Sequence, residues 1–138
     1  MKTISEKELC SLAIKARESS YSPYSHVRVG AALLTGSGKI YTGCNIENAA
    51  YSPTVCAERV AFFKAISEGE KEFVAIAIAG GANDTPDGFF PPCGVCRQVM
   101  SEFCSPDFKV YLVKSKDEYT ALTLGELLPH GFGKINVK

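Results

Sequence analysis

Hydrophobic residues recur along this chain with two periods, and the switches between them mark out its elements. Ile4 and Leu9, then Leu12, Ala13 and Ala16, fall at helical spacing. Ser5 followed by Glu8 has the pattern of a capping box, so a helix is predicted over about 5–18. Residues 21–25 (YSPYS) are turn-rich. Residues 27–35 (VRVGAALLT) are β-branched and apolar and predict a strand, Gly36 and Gly38 suit a hairpin turn, and 40–45 returns as the second strand. Ser52, Pro53 and Thr54 read as a helix start, with a hydroxyl cap and a proline in the first turn. The helix predicted there runs over about 54–68, with Val60, Phe63 and Ile66 on one side. Residues 73–79 (FVAIAIA) are almost uniformly apolar, which fits a central strand covered on both faces. Beyond a loop rich in Gly and Pro at 80–92, Val95, Val99, Met100 and Phe103 predict a helix starting near Pro92. Residues 108–113 form another strand. Thr123 with Glu126 opens a short helix that stops before Pro129, and the tail HGFGKINVK is turn-like.

The resulting order is α-β-β-α-β-α-β-α. Strands alternating with helices after a hairpin imply a mixed sheet between helical layers, an α/β fold. No internal repeat, linker or low-complexity stretch interrupts it. The 138 residues therefore read as one domain, 1–138, large enough to bury an ordinary core.

Composition narrows the function. A chain 46% hydrophobic and 22% charged is globular rather than disordered. Fifteen basic residues balance fifteen acidic ones, leaving no electrostatic footprint for nucleic acid or an anionic membrane. No stretch is apolar for the 18 residues a membrane span needs. The beginning, MKTISEKELC, turns acidic too early for a signal peptide and is not a transit peptide, so a cytoplasmic setting is expected. In such a reducing compartment, six cysteines at these spacings point to metal or catalysis rather than disulfides.

Two cysteine motifs sit at predicted helix starts: Cys56-Ala57-Glu58, and Pro92-Cys93-Gly94-Val95-Cys96. A Cys-x-x-Cys at a helix start lets both sulfurs face one ion, and Cys56 would supply the third sulfur. Thiolates suit zinc, and helix N-termini stabilise them through positive partial charge and unpaired N–H groups. Three protein ligands leave a fourth tetrahedral position open, the mark of a catalytic zinc. Three thiolates also make the zinc a weak electrophile. The helix dipoles and Arg59, donating to the thiolates, would offset part of that. Glu58, two residues beyond Cys56, would work as the proton carrier. Taken singly, each has a plainer reading. Cys93 and Cys96 equally suit a redox dithiol or a structural zinc half-site, Cys56 a buried inert thiol, Glu58 a helix-start carboxylate and Arg59 a surface cation. Cys10, Cys44 and Cys104 read as structural thiols, unless one of them closes the site.

The CAE and PCGVC motifs resemble those of zinc-dependent nucleoside and nucleobase deaminases. The run from Ser22-Pro-Tyr-Ser25 and Val29-Gly-Ala-Ala-Leu33 through Gly43-Cys-Asn-Ile-Glu-Asn-Ala-Ala-Tyr51 is similar to homotetrameric cytidine deaminases, as are Cys56-Ala-Glu-Arg59, Pro92-Cys-Gly-Val-Cys-Arg-Gln98, Leu127-Leu-Pro129 and Phe132. The resemblance extends from about residue 8 to Phe132. It implies a three-layer α/β/α fold with a mixed central sheet of about five strands. It implies one Zn2+ per subunit on Cys56, Cys93 and Cys96, with Glu58 shuttling the proton. Asn45 and Glu47 would bind the ribose 3′-hydroxyl, the Ala57 backbone N–H the pyrimidine O2, and Tyr51 and Phe132 would reach into a neighbouring subunit's pocket. The implied reaction is hydrolysis of cytidine or 2′-deoxycytidine to uridine or 2′-deoxyuridine and ammonia, in pyrimidine salvage. Val27 and Arg28 depart from the Phe and Pro of many relatives, so Val27 brings no ring face to the base. Pro53-Thr54-Val55 also differs, with no functional consequence that we see. A blasticidin-type antibiotic deaminase, a polynucleotide editor, a structural zinc module and a thiol-redox protein are the competing readings.

Overall fold

The computed structural model describes residues 4–137, and its frame is a five-stranded sheet in the order β2-β1-β3-β4-β5. The strands are β1 (Arg28–Thr35), β2 (Ile40–Cys44), β3 (Phe73–Gly81), β4 (Lys109–Ser115) and β5 (Glu118–Thr123). Only β3 and β4 run parallel, and the other three pairings are antiparallel, which makes the sheet mixed as expected. The helices are α1 (Glu6–Ala16), α2 (Ala57–Ser67), α3 (Gly94–Phe103) and α4 (Leu124–Leu127). No described helix is long and apolar enough to cross a membrane.

The run FVAIAIA forms the central strand β3, and its alternation sorts the two faces. Ile76 and Ile78 join Ala57, Ala61, Phe62, Cys96 and Met100 on the α2/α3 side, where Phe62 packs at 5.1 Å from the Phe73 ring. Ala75, Ala77 and Ala79 face Leu9, Cys10 and Ala13 of α1 on the other side. Alanines there leave α1 room to lie close to the sheet. Two glycines make the same allowance. A Cβ on Gly30 would fall 2.2 Å from the Ala13 carbonyl oxygen, and one on Gly43 would fall 2.3 Å from that of Ala57.

Three expectations need correction. The element pattern contained no β5. That strand is a largely exposed edge, held by its ladder to β4 and by Tyr119, whose ring meets Tyr111 edge-on at 5.7 Å. A polar edge strand buries too little to alternate clearly. The second helix begins at Ala57, not near 54, and Ser52 does not cap it. Val55 is held extended by paired backbone hydrogen bonds to Ile46, each 3.0 Å, and the Thr54 hydroxyl accepts from the Asn48 N–H. Those contacts outcompete the cap, and Cys56 becomes the N-cap residue. The buried residues of α2 are Ala57, Glu58, Ala61, Phe62 and Ala65; of the three expected, Ile66 packs against the core while half-buried, Val60 is half-buried and Phe63 is 48% exposed. Where α2 meets Gly43 of β2 most closely, the helix presents Ala57 and Ala61. The Ser5 and Thr123 caps are present, the latter as a full capping box.

Gly43 thus sets how closely the start of α2 approaches the sheet. Gly43→Ala should lower the unfolding free energy by about 1–3 kcal/mol through overpacking, read as a reduced denaturant midpoint; an unchanged midpoint would show that α2 can shift freely.

Candidate metal centre and cleft

The N-termini of α2 and α3 meet at one end of the sheet, and their N-cap residues are Cys56 and Cys93. Cys93 Sγ lies 3.6 Å from Cys56 Sγ and 3.5 Å from Cys96 Sγ, and all three sulfurs lie within 4.8 Å of one another. Thiolates at the corners of a zinc tetrahedron, with Zn–S bonds of ~2.3 Å, stand about 3.8 Å apart, so the trio fits that ion. Among the described residues no fourth His, Cys, Asp or Glu joins the group. Cys10, Cys44 and Cys104 lie elsewhere, on α1, at the end of β2 and after α3. The donor set matches a tetrahedral zinc with one position left for a non-protein ligand.

The surroundings favour charge on one sulfur of the trio, that of Cys56. The hydrogen bond with Cys96 holds the Cys56 thiol well below the usual thiol range against the opposing effect of burial, and Arg59 and Cys93 add to it. Cys96, on the other side of that bond, is pushed up. Arg59 Nη2 reaches Cys56 Sγ at 3.5 Å, the contact expected of it. Glu58 is only 4% exposed, and its Oε1 is buried without a hydrogen-bond partner. Burial pushes its carboxyl up to about 7, within reach of proton exchange at neutral pH.

Beside the thiols lies a cleft of about 340 Å³, within the range of small-ligand sites. Cys56, Ala57, Glu58 and Cys93 line one part of it, and Asn45 and Glu47 another. Ala57 is the first residue of α2, and N–H groups at a helix start have no partner within the helix. Asn45 Oδ1 accepts from Val29 N–H at 2.9 Å and from the Ser20 hydroxyl, while its Nδ2 donates to the Val27 carbonyl at 2.8 Å. Glu47 accepts from the Tyr24 and Ser25 N–H groups, at 2.9 and 3.1 Å, and from the Ser25 hydroxyl. The Ser25 hydroxyl holds the Glu47 carboxyl below its usual range. These bonds set both side chains in place. Ser20 and Ser25 were not singled out from the sequence, although Ser25 belongs to the turn-rich YSPYS run that signals local hydroxyl–backbone bonding.

Tyr51 and Phe132 do not line this cleft. They are 73% and 60% exposed, and Tyr51 has a left-handed backbone with φ of 64°. Two arginines brace the loop leading into Cys93. Buried Arg17 donates to the carbonyls of Gly81, Asn83 and Asp84, and Arg97 donates to that of Pro92. Arg17 gave no signal in the sequence, because a cation bound by backbone carbonyls has no partner residue type to search for.

After chelation, iodoacetamide near neutral pH should alkylate Cys56 at least about tenfold faster than Cys10 or Cys104, whose thiols burial raises to about 11 and about 12. Added zinc should protect Cys56. Peptide mass spectrometry reads both effects, and equal labelling with or without zinc would exclude Cys56 as a ligand.

Residues 3–112 match the family described as "Cytidine and deoxycytidylate deaminase zinc-binding region". The cytidine deaminase of Sporosarcina psychrophila is 53% identical over 120 residues, which span 87% of this chain and 85% of that protein. The cytidine deaminase of Halalkalibacterium halodurans is 51% identical over 120 residues, covering 87% of this chain and 88% of the other. A crystal structure of the Burkholderia pseudomallei cytidine deaminase superposes with a TM-score of 0.85 at 43% identity, over 94% of this chain and all (100%) of that one. With its paired helix starts, three clustered thiols and buried carboxylate, this chain belongs to the zinc-dependent cytidine and deoxycytidylate deaminase family.

Proposed function

We propose that this protein hydrolyses cytidine and 2′-deoxycytidine to uridine and 2′-deoxyuridine, releasing ammonia, in pyrimidine salvage. The observation that carries this reading is a buried carboxylate with an unpartnered oxygen, Glu58, beside three clustered thiols at the floor of a nucleoside-sized cleft. Cys56, Cys93 and Cys96 would hold the zinc, which would supply the Lewis acidity that makes a water nucleophilic at neutral pH. Glu58 accepts that water's proton and delivers it to N3 of the base, which makes C4 more electrophilic. Oxygen then bonds to C4. Glu58 next takes the proton of the new C4 hydroxyl and passes it to the exocyclic nitrogen; the C4=O bond forms as the C4–N bond breaks and ammonia leaves, so substrate plus water balances product plus ammonia. Ala57 N–H donates to the pyrimidine O2. Asn45 and Glu47, fixed by the serines, receive the ribose 3′-hydroxyl. Arg59 donates to the Cys56 sulfur and would thereby offset part of the thiolates' charge.

Homotetrameric assembly is part of the proposal, with Tyr51 and Phe132 completing a neighbour's cleft. Their exposure, together with that of Phe63 and Val95, leaves apolar surface that a second copy would cover. The whole chain then serves as one catalytic domain. We place it in the cytoplasm, where six free thiols would stay reduced.

Ammonia release and the cytidine-to-uridine absorbance change test the activity directly, with blasticidin S as the competing substrate; turnover of blasticidin S alone would refute the nucleoside reading. Glu58→Ala should keep its zinc and lose at least about 10²-fold in kcat, whereas a structural zinc module would lose nothing. Arg59→Ala should also keep zinc and lose about tenfold or more in kcat, the scale of a charge-assisted hydrogen bond. Unchanged turnover there would remove Arg59 from the mechanism.

A further inference from the structure

The cleft needs a surface for the flat face of a base, and the residues lining it include a single aromatic side chain, Phe90, from the loop between β3 and α3. Val27, Val29 and Val55 supply branched aliphatic groups, which offer no plane. The Phe90 ring is seated on Gly80 of β3. A Cβ added there would lie 2.5 Å from the ring's Cγ and under 3.0 Å from both Cδ atoms. Gly80 is paired with Val29, itself a lining residue, so the seat is part of the sheet beneath the cleft. The loop on either side of Phe90 is braced by Arg17 at Gly81, Asn83 and Asp84 and by Arg97 at Pro92. The ring therefore has a fixed support beneath it and a fixed backbone on both sides, and it stands three residues before Cys93, where the reacting end of the base must lie.

We infer that Phe90 is a specificity-determining residue that packs against the pyrimidine ring, with the absent side chain of Gly80 as its seat. This rests on the deaminase reading above. A preorganised ring face favours a planar heterocycle in ground state and transition state alike, so its contribution falls on binding and not on the chemical step.

Steady-state kinetics with cytidine and equilibrium binding of uridine test this on the zinc-loaded protein. Phe90→Leu keeps apolar bulk and removes the plane. It should raise KM for cytidine and Kd for uridine by about tenfold, the scale of one base–aromatic contact, with kcat within about twofold and zinc content unchanged. Phe90→Tyr should restore both constants. Gly80→Ala should reproduce the binding loss with Phe90 intact, by unseating the ring, and if that variant does not fold the Phe90 pair decides alone. Wild-type KM and uridine Kd in Phe90→Leu, or a loss confined to kcat or zinc content, would overturn the inference. Failure of the wild-type protein to release ammonia from cytidine would instead refute the reading on which it rests.

Discussion

Everything at the site depends on two helices beginning at the same point. A helix start offers unpaired N–H groups and partial positive charge, and thiolates need both. Here the N-caps of α2 and α3 are both cysteines, and the first turn of α3 adds the third. Their convergence rests on small residues. Gly43 lets α2 lie against β2, and Ala57, Ala61 and Ala65 form the helix's own close-packed face. A bulkier sheet or helix surface would push the Cys56 sulfur away from the pair on α3 and open the donor triangle.

The same close packing explains the state of Glu58. Its place on the buried side of α2 removes its carboxyl from water, and one oxygen is left without a partner. Such a group costs stability, because a buried polar atom without a partner forfeits its hydration. On the cleft wall, by contrast, Asn45 and Glu47 are satisfied by the protein. They hold three hydrogen bonds each, which fixes their orientation before any ligand arrives. The cleft thus combines an under-satisfied acid at its floor with fully held polar groups on its wall.

Much of the fold was legible because burial imposed a period on the sequence. The central strand stood out through FVAIAIA, the first hairpin through its glycines, and α4 through its capping box. Where burial was weak or tertiary contacts intervened, the pattern failed. The edge strand β5 is mostly exposed, and the start of α2 is displaced by the pairing of Val55 with Ile46 across a loop. On α2 the face that is buried carries Ala57, Ala61 and Ala65 beside a single large residue, Phe62, and alanines at a close contact leave no apolar pattern as visible as Val60, Phe63 and Ile66.

The sequence alone determined which chemical groups are at hand, namely three sulfurs, a carboxylate and a guanidinium at helix-start spacings, since those residue types are scarce and their local order follows from capping rules. Tertiary structure alone decided their distances, the burial that lifts Glu58, the serines that hold Asn45 and Glu47, and the buried Arg17 that braces the loop bearing Phe90. Those features arise between segments far apart in the chain, where no local periodicity records which surfaces meet.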